Sequence, residues 1–408
     1  MSLALVCTGA SAASPKSQTH QLLKRLSTQE PLRNGVWGML AVTMGGDTLV
    51  DFNSHMRMLP ASTEKLITTG LALRVLGPDY RFRTRLAYDG VIENGVLHGD
   101  LYIVGEGDPT VGADFGCASG INPFVSWRKM VQDAGIEKID GRLIGDSRFY
   151  EGDPLNGSWQ IEDLNCGDAV GVEGLNYYRD TLVNHTGAFL CARAFNTFLM
   201  GAGLSVPIDR VSDEASSDSL KFIGESFSPR LRQIVRDCNH RSNNFYAEAM
   251  LRAIGKKLKA DDSYDASVEA MLQVLAGMGL GTKSRAIQIS DGSGLSRKNY
   301  QTPDFLVSFL TVMAGTRDGE TFQGTLPKPG EGSLVSRLHD APQSVKGRVC
   351  MKSGSMNGVR CYSGYILPSD GVKSHTIVFS FMSNNAVVSQ KRLSTLTDQI
   401  ITSLASEN

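Results

Sequence analysis

The 408-residue sequence predicts an α+β fold in which one sheet takes in both ends of the chain. Three observations predict it. A hairpin and a helix come first, a long stretch of short apolar runs broken by Gly and Asp follows, and helices then give way to late strands and a closing helix. Single cores stop growing near ~250–300 residues, so two or three domains are expected.

Residues 15–30 carry Leu22, Leu23 and Leu26 at helical spacing. Val36 to Thr43 and Thr48 to Phe52 read as strands joined by Met44-Gly-Gly-Asp47, a hairpin. After Pro60 the apolar residues continue all along a helix to Leu76, which is expected to be buried. From Arg81 to about Asp168 the residues Phe82, Leu86, Val91, Val96, Leu101, Ile103, Ile139, Leu143 and Ile144 sit in short runs, the behaviour of a β-rich insert. Helical patterns cover Ser228–Gly255, Val268–Met278 and Pro303–Ala314. Strand-like runs follow at Arg348–Lys352, Val359–Leu367 and His375–Ser383, and a last helix runs from Ser389 to about Leu404. The expected division is therefore 15–80 with 170–408 as one domain and 81–169 as the insert.

Forty-one basic against forty-two acidic residues leave no net field for nucleic acid or an anionic membrane. A small or neutral partner is expected instead. No run approaches the ~18 apolar residues of a membrane-spanning helix. Met1 to Ser14 resembles the end of an apolar secretion signal with a small-residue cleavage site near Ala10-Ser11-Ala12, although it is short and lacks a basic start. The alternative is a frayed cytosolic N-terminus. Val6 is bulkier than a lipid-attachment site at Cys7 favours.

The other cysteines are Cys117, Cys166, Cys191, Cys238, Cys350 and Cys361, an even set compatible with an oxidising compartment. Cys350 and Cys361 flank the turn Met356-Asn-Gly358 and can face each other across a hairpin; the alternative is two small buried residues packing under the sheet. No Cys-x-x-Cys, His-Glu-x-x-His or zinc-like cluster appears, and no phosphate loop, so neither metal nor cofactor is implied. Gly105-Glu-Gly-Asp108 lacks a third glycine and runs into Pro109, which suits a turn.

Ser62-Thr-Glu-Lys65 places a hydroxyl and an amine on one helical face, one turn apart. A neutral Lys65 can take the proton of Ser62, and burial plus a nearby cation would disfavour its charged form. Alone, such a pattern arises about once in a few hundred residues and equally describes a helix N-cap beside a solvated lysine. Ser242-Asn-Asn244 can supply a second hydroxyl for relaying a proton and a side-chain amide for a substrate, or be another cap. In Lys352-Ser-Gly-Ser355 the glycine would let a substrate backbone lie against a strand, while Lys352 and the Ser353 hydroxyl meet a carboxylate. The plain alternative is a hairpin with a solvated lysine.

The ordered set Ser-x-x-Lys, Ser-x-Asn, Lys-Ser-Gly resembles the penicillin-recognising serine enzymes. Ser290-Asp-Gly-Ser-Gly-Leu-Ser-Arg297 and Gly107-Asp-Pro-Thr110 further resemble segments of the class C low-molecular-mass penicillin-binding proteins, the D-alanyl-D-alanine carboxypeptidase/endopeptidase kind. This resemblance implies a penicillin-binding protein/β-lactamase-like transpeptidase domain, an antiparallel sheet flanked by helices. It implies a periplasmic enzyme whose partners are peptidoglycan stem peptides, with β-lactams as covalent inhibitors.

By the same resemblance Ser62 is the nucleophile, Lys65 the base, Ser242 the proton relay, Asn244 a substrate holder and Lys352 the carboxylate clamp. The backbone N–H groups of Ser62 and Ser355 form the oxyanion hole. Ser353, Gly354, Arg297 and Asn357 border the substrate, and Asp146 resembles an insert residue that meets a diaminopimelate amine. Ser353 stands where threonine is usual, which keeps the hydroxyl. The insert is short, so it holds one reduced module or two compact ones. A β-lactamase is the alternative enzyme, but no acidic loop residue presents itself as water activator. A catalytically silent peptidoglycan-binding scaffold would not need both lysines.

Overall fold

A computed structural model describes residues 17–29, 33–112, 123–165, 167–177, 185–216, 219–281 and 287–407. The expected leader, Cys7, Cys117 and Cys166 lie outside the described residues. The chain divides into two compact units: one takes the chain up to Arg74, Cys238–Asn244 and the chain from Met271, and the other takes Val75–Asp237 and Phe245–Ala270.

The first unit holds an antiparallel sheet of β1 (Val36–Thr43), β2 (Thr48–Phe52), β11 (Val349–Met356), β12 (Val359–Ile366) and β13 (Ile377–Asn384), in the order β11-β12-β13-β1-β2. β1 and β13 lie inside the sheet, β13 buried along its whole length and β1 over Trp37–Ala41, which is why apolar residues dominate both. On one face the helices Gln18–Ser27 and Gln390–Ala405 bring Leu23, Leu26, Leu393 and Ile400 onto Met39, Phe379, Phe381 and Tyr362. The two chain ends are tied as well, since Glu407 Oε1 accepts from Thr19 N at 2.7 Å. On the other face lies the helix Pro303–Ala314, opened by Thr302, whose side chain accepts from Phe305 N. Gly70 of the helix Lys65–Leu76 admits this helix, because a Cβ there would stand 2.8 Å from Phe309 Cζ.

The second unit adds β3 (Arg83–Tyr88), β4 (Val91–Glu93), β5 (Val96–His98), β6 (Leu101–Gly105), β7 (Lys138–Ile139), β8 (Leu143–Asp146), β9 (Val211–Asp213) and β10 (Lys221–Phe227). They form a five-stranded sheet β10-β3-β6-β8-β9 and a small sheet β4-β5-β7. β6, β8 and β9 run parallel, so each joint needs a crossover, and the helices Phe124–Asp133 and Gly187–Leu199 supply them. Leu97 and Ile139 of the small sheet share one core with Leu86, Ile103, Trp127 and Phe195, so this is one module rather than two.

The expected insert boundary at 169 does not coincide with this unit. β9 and β10 close the same sheet well beyond it, and β10 was invisible as a strand because its residues are exposed or half-buried and show no apolar face. The helical region expected over Ser228–Gly255 consists of two helices, Leu231–Arg241 and Asn244–Lys259, with Ser242-Asn243 as the turn entering the second.

Candidate active site

All the chemistry-bearing contacts described next lie within the first unit. Ala61–Glu64 forms a 3₁₀ turn before the helix Lys65–Leu76 begins. Side chains three apart eclipse in that geometry, and Lys65 Nζ lies 3.0 Å from Ser62 Oγ. The turn is forced, with Ala61 at φ 46°, a left-handed value that a Cβ disfavours and that functional sites retain. Lys65 is fully buried, and its Nζ is also 2.7 Å from Asn244 Oδ1 and 2.7 Å from Ser293 O.

Ser242 sits in the break between two helices at φ 59°. Its half-buried hydroxyl lies 2.8 Å from Lys352 Nζ, which also donates to Ser353 O at 2.6 Å. Lys352 is fully buried, and burial, joined by the charge of Lys65, holds its ammonium well below the usual lysine range. Ser62, Lys65, Asn244, Ser242 and Lys352 are thus brought together, not as solvated side chains but as two buried amines each set against a hydroxyl.

β11 is an edge strand of its sheet. Met351 N–H leaves the sheet to reach Pro327 O at 3.1 Å, so by antiparallel alternation the N–H groups of Ser353 and Ser355 also face outward. Gly354 is packed against the 3₁₀ turn: a Cβ there would stand 2.6 Å from Pro60 O, 3.0 Å from Thr63 N and 3.1 Å from Ser62 N. This glycine thus leaves room for the turn that carries Ser62, a close approach of two backbones that any Cβ would prevent. Ser353 alternates to the face away from Lys352 and hydrogen-bonds Ser333 Oγ at 3.0 Å. Asn357 is exposed at the hairpin tip beside Gly358, at φ 72°.

Cys350 and Cys361 do not face each other. The register pairs Cys350 with Tyr365 and Cys361 with Gly354, four rungs apart, about 13 Å along the strand. Both are free and buried, and burial pushes each thiol up to about 12.

The segment Ser290 to Arg297 was singled out only by resemblance, and its carbonyl at Ser293 is the contact that sequence reasoning missed. Asp291, fully buried, shapes it by accepting from Gly294 N at 2.8 Å, Ser296 N at 2.6 Å and Asn299 Nδ2 at 2.8 Å. Arg297 is half-buried at its end. Asp146 is not among these groups: it ends β8 in the second unit, bonded to Arg148 N at 2.9 Å and Ser216 N at 3.1 Å. Burial would raise its carboxyl, but the hydrogen bonds from Ser216 and Arg148 hold it below the usual range. Among the described residues no group of His, Cys, Asp and Glu gathers to hold a metal, and no helix is long and apolar enough to cross a membrane.

The model of the D-Ala-D-Ala carboxypeptidase 3 (S13) family matches residues 19–188 and 179–407. A D-alanyl-D-alanine carboxypeptidase of Actinomadura sp. (strain R39) is 26% identical over 431 residues, 85% of this chain and 78% of that protein. D-alanyl-D-alanine carboxypeptidase DacB of Haemophilus influenzae is 24% identical over 419 residues, 84% of each. The crystal structure of penicillin binding protein 4 (dacB) from Haemophilus influenzae superposes with a TM-score of 0.79 at 20% identity, covering 96% of this chain and 99% of that one. That likeness bears out the expected α+β fold of the penicillin-recognising kind.

Proposed function

Since the chain belongs to the D-Ala-D-Ala carboxypeptidase 3 (S13) family, we propose that it is a serine D-alanyl-D-alanine carboxypeptidase/endopeptidase of peptidoglycan peptides, acylated by β-lactams at Ser62. The observation that carries this reading is Lys65 Nζ at 3.0 Å from the Ser62 hydroxyl, in a site where Lys352 is buried beside a second hydroxyl.

In acylation Ser62 Oγ bonds to the carbonyl carbon between two D-alanines while its proton passes to neutral Lys65. The carbonyl oxygen takes the negative charge, between the N–H of Ser62 and the outward N–H of Ser355. Each such donor contributes about 2.7–4 kcal/mol. Asn244 holds a peptide group of the acyl donor, and Ser242 delivers a proton to the leaving amine. As that C–N bond breaks, terminal D-alanine departs, or a cross-linked peptide does in the endopeptidase reaction. The terminal carboxylate binds beside Lys352, and its negative charge favours the ammonium that burial disfavours in the free protein. Water then attacks the acyl-enzyme, gives its proton back through Lys65, and frees Ser62. Ser353, Gly354, Arg297 and Asn357 would border the donor. A β-lactam enters as an amide of the same kind, and its ring opens onto Ser62 without a leaving group that diffuses away. A periplasmic location is part of the same proposal, since peptidoglycan lies outside the cytoplasmic membrane.

Labelling with a fluorescent penicillin tests the reading. The wild-type chain should take up one label per molecule and Ser62→Ala none, and digestion of purified muropeptides should release D-alanine only with the wild type. An adduct that persists in Ser62→Ala would overturn the assignment.

A further inference from the structure

Lys65 can act as a base only if its lone pair, rather than an N–H, points at Ser62. A neutral amine has two N–H donors and one lone pair. Asn244 Oδ1 and Ser293 O, each 2.7 Å from Nζ, accept the two N–H groups and so direct the lone pair along the 3.0 Å contact to Ser62 Oγ. Asn244 is a side chain that the Ser-x-Asn motif supplies. Ser293 contributes a backbone carbonyl, whose position depends on whatever holds its loop.

Two fully buried side chains hold it from either side. Thr68 Oγ1 donates to Gly292 O at 2.7 Å, fixing the residue before Ser293. Asp291 accepts from Gly294 N at 2.8 Å, fixing the residue after it, and from Ser296 N at 2.6 Å. Gly294, at φ 79°, lies flat on the nucleophile turn, since a Cβ there would stand 1.9 Å from Ala61 O. Thr68 is also three residues beyond Lys65 on the same helix, so the base and the group that places its acceptor move as one body.

We propose that Thr68 and Asp291 are positioning residues for acylation, holding the Ser293 carbonyl so that the Lys65 amine presents its lone pair to Ser62. The inference rests on the acyl-transfer reading and extends the Ser-x-x-Lys pattern to Ser62-x-x-Lys65-x-x-Thr68, with a distant aspartate as its counterpart. Neither residue touches the substrate. Their loss should slow the covalent step and leave non-covalent binding alone.

The test is stopped-flow acylation by a fluorescent penicillin, separating the dissociation constant of the first complex from the acylation rate constant and titrating the final stoichiometry. Thr68→Val keeps the shape and removes the hydroxyl, Thr68→Ser keeps the hydroxyl, and Asp291→Asn keeps one acceptor oxygen. Misplacement of a reacting group by an ångström is felt at the hundredfold level. Thr68→Val and Asp291→Asn should therefore acylate about ten- to a hundredfold more slowly, with an unchanged dissociation constant and full final labelling, and Thr68→Ser should recover most of the rate. A merely structural role would lower the final labelling while the labelled fraction reacts at the wild-type rate, and that result overturns the proposal. So does a Thr68→Val variant that acylates at the wild-type rate. A wild-type chain that takes no penicillin would remove the functional reading itself, whereas the other two outcomes remove this inference alone.

Discussion

At the scale of single residues the proposed mechanism gives two buried lysines different work. Lys65 sits against the Ser62 hydroxyl, and Lys352 against Ser242 and the strand that would meet a terminal carboxylate. The division can be tested because one function depends on the ligand's charge and the other does not. Lys65→Ala should abolish acylation by any substrate. Lys352→Ala should act mainly on ligands that carry a free carboxylate, and a hydrogen bond to a charged group contributes about 1.5–3 kcal/mol. That corresponds to a loss of about ten- to a hundredfold with a carboxylate substrate and little with its amide. Equal losses across charged and amidated substrates for both variants would contradict the assignment. The two lysines and two serines were legible in sequence from their ordered spacing. Asp291 and Thr68 were not, because they act through a backbone carbonyl, which no residue type advertises.

At the scale of elements, the meeting of β11 with the 3₁₀ turn would decide whether the proposed oxyanion donors, the N–H groups of Ser62 and Ser355, converge. Gly354→Ala would drive a methyl into Pro60 O and the N–H groups of Ser62 and Thr63, all backbone atoms that cannot swing aside. Strand and turn must separate, and penicillin acylation should fall by about 10²–10³, the loss expected for one displaced donor. Ser353→Thr, which leaves that contact untouched, should stay near the wild-type rate; a Gly354→Ala protein as fast as wild type would show that the close packing is dispensable. The hairpin also shows what could have been read and was not. Asn357-Gly358 is a strong two-residue loop signal, and counting outward from it sets Met356 opposite Val359 and Cys361 opposite Gly354. The cysteine pairing was excluded by that count alone. The outer strands of the second unit were a different case, since β9 has three residues and β10 no apolar face. Only pairing with β8 and β3 makes them strands.

At the scale of the whole molecule, two buried ionisable groups give stability opposite slopes with pH. Asp108 keeps hydrogen bonds from Thr110 N and Oγ1, yet burial pushes its carboxyl up to about 6. A raised carboxyl contributes fully below its unfolded value near 4 and loses that contribution as pH rises through 6. Asp108→Asn should therefore match wild type near pH 4 and exceed it by up to about 3 kcal/mol at pH 7.5. Lys352, held below its ordinary 10.5, works the other way: its contribution is full above 10.5 and is lost as pH falls through the folded value. Lys352→Met should thus gain on wild type as pH falls from 10.5, while losing activity. Urea unfolding across pH 4–10.5 checks both, and curves parallel to wild type would sink the argument. The edge strand that carries this lysine has a consequence for the molecule among its neighbours. β11 already gives its outward N–H at Met351 to Pro327 O, so the stretch open to an extended chain is the pair Ser353 and Ser355. Native edges resist growth by being short or covered. Two open rungs suit the few backbone groups of a small peptide and offer little ladder to another copy of the chain.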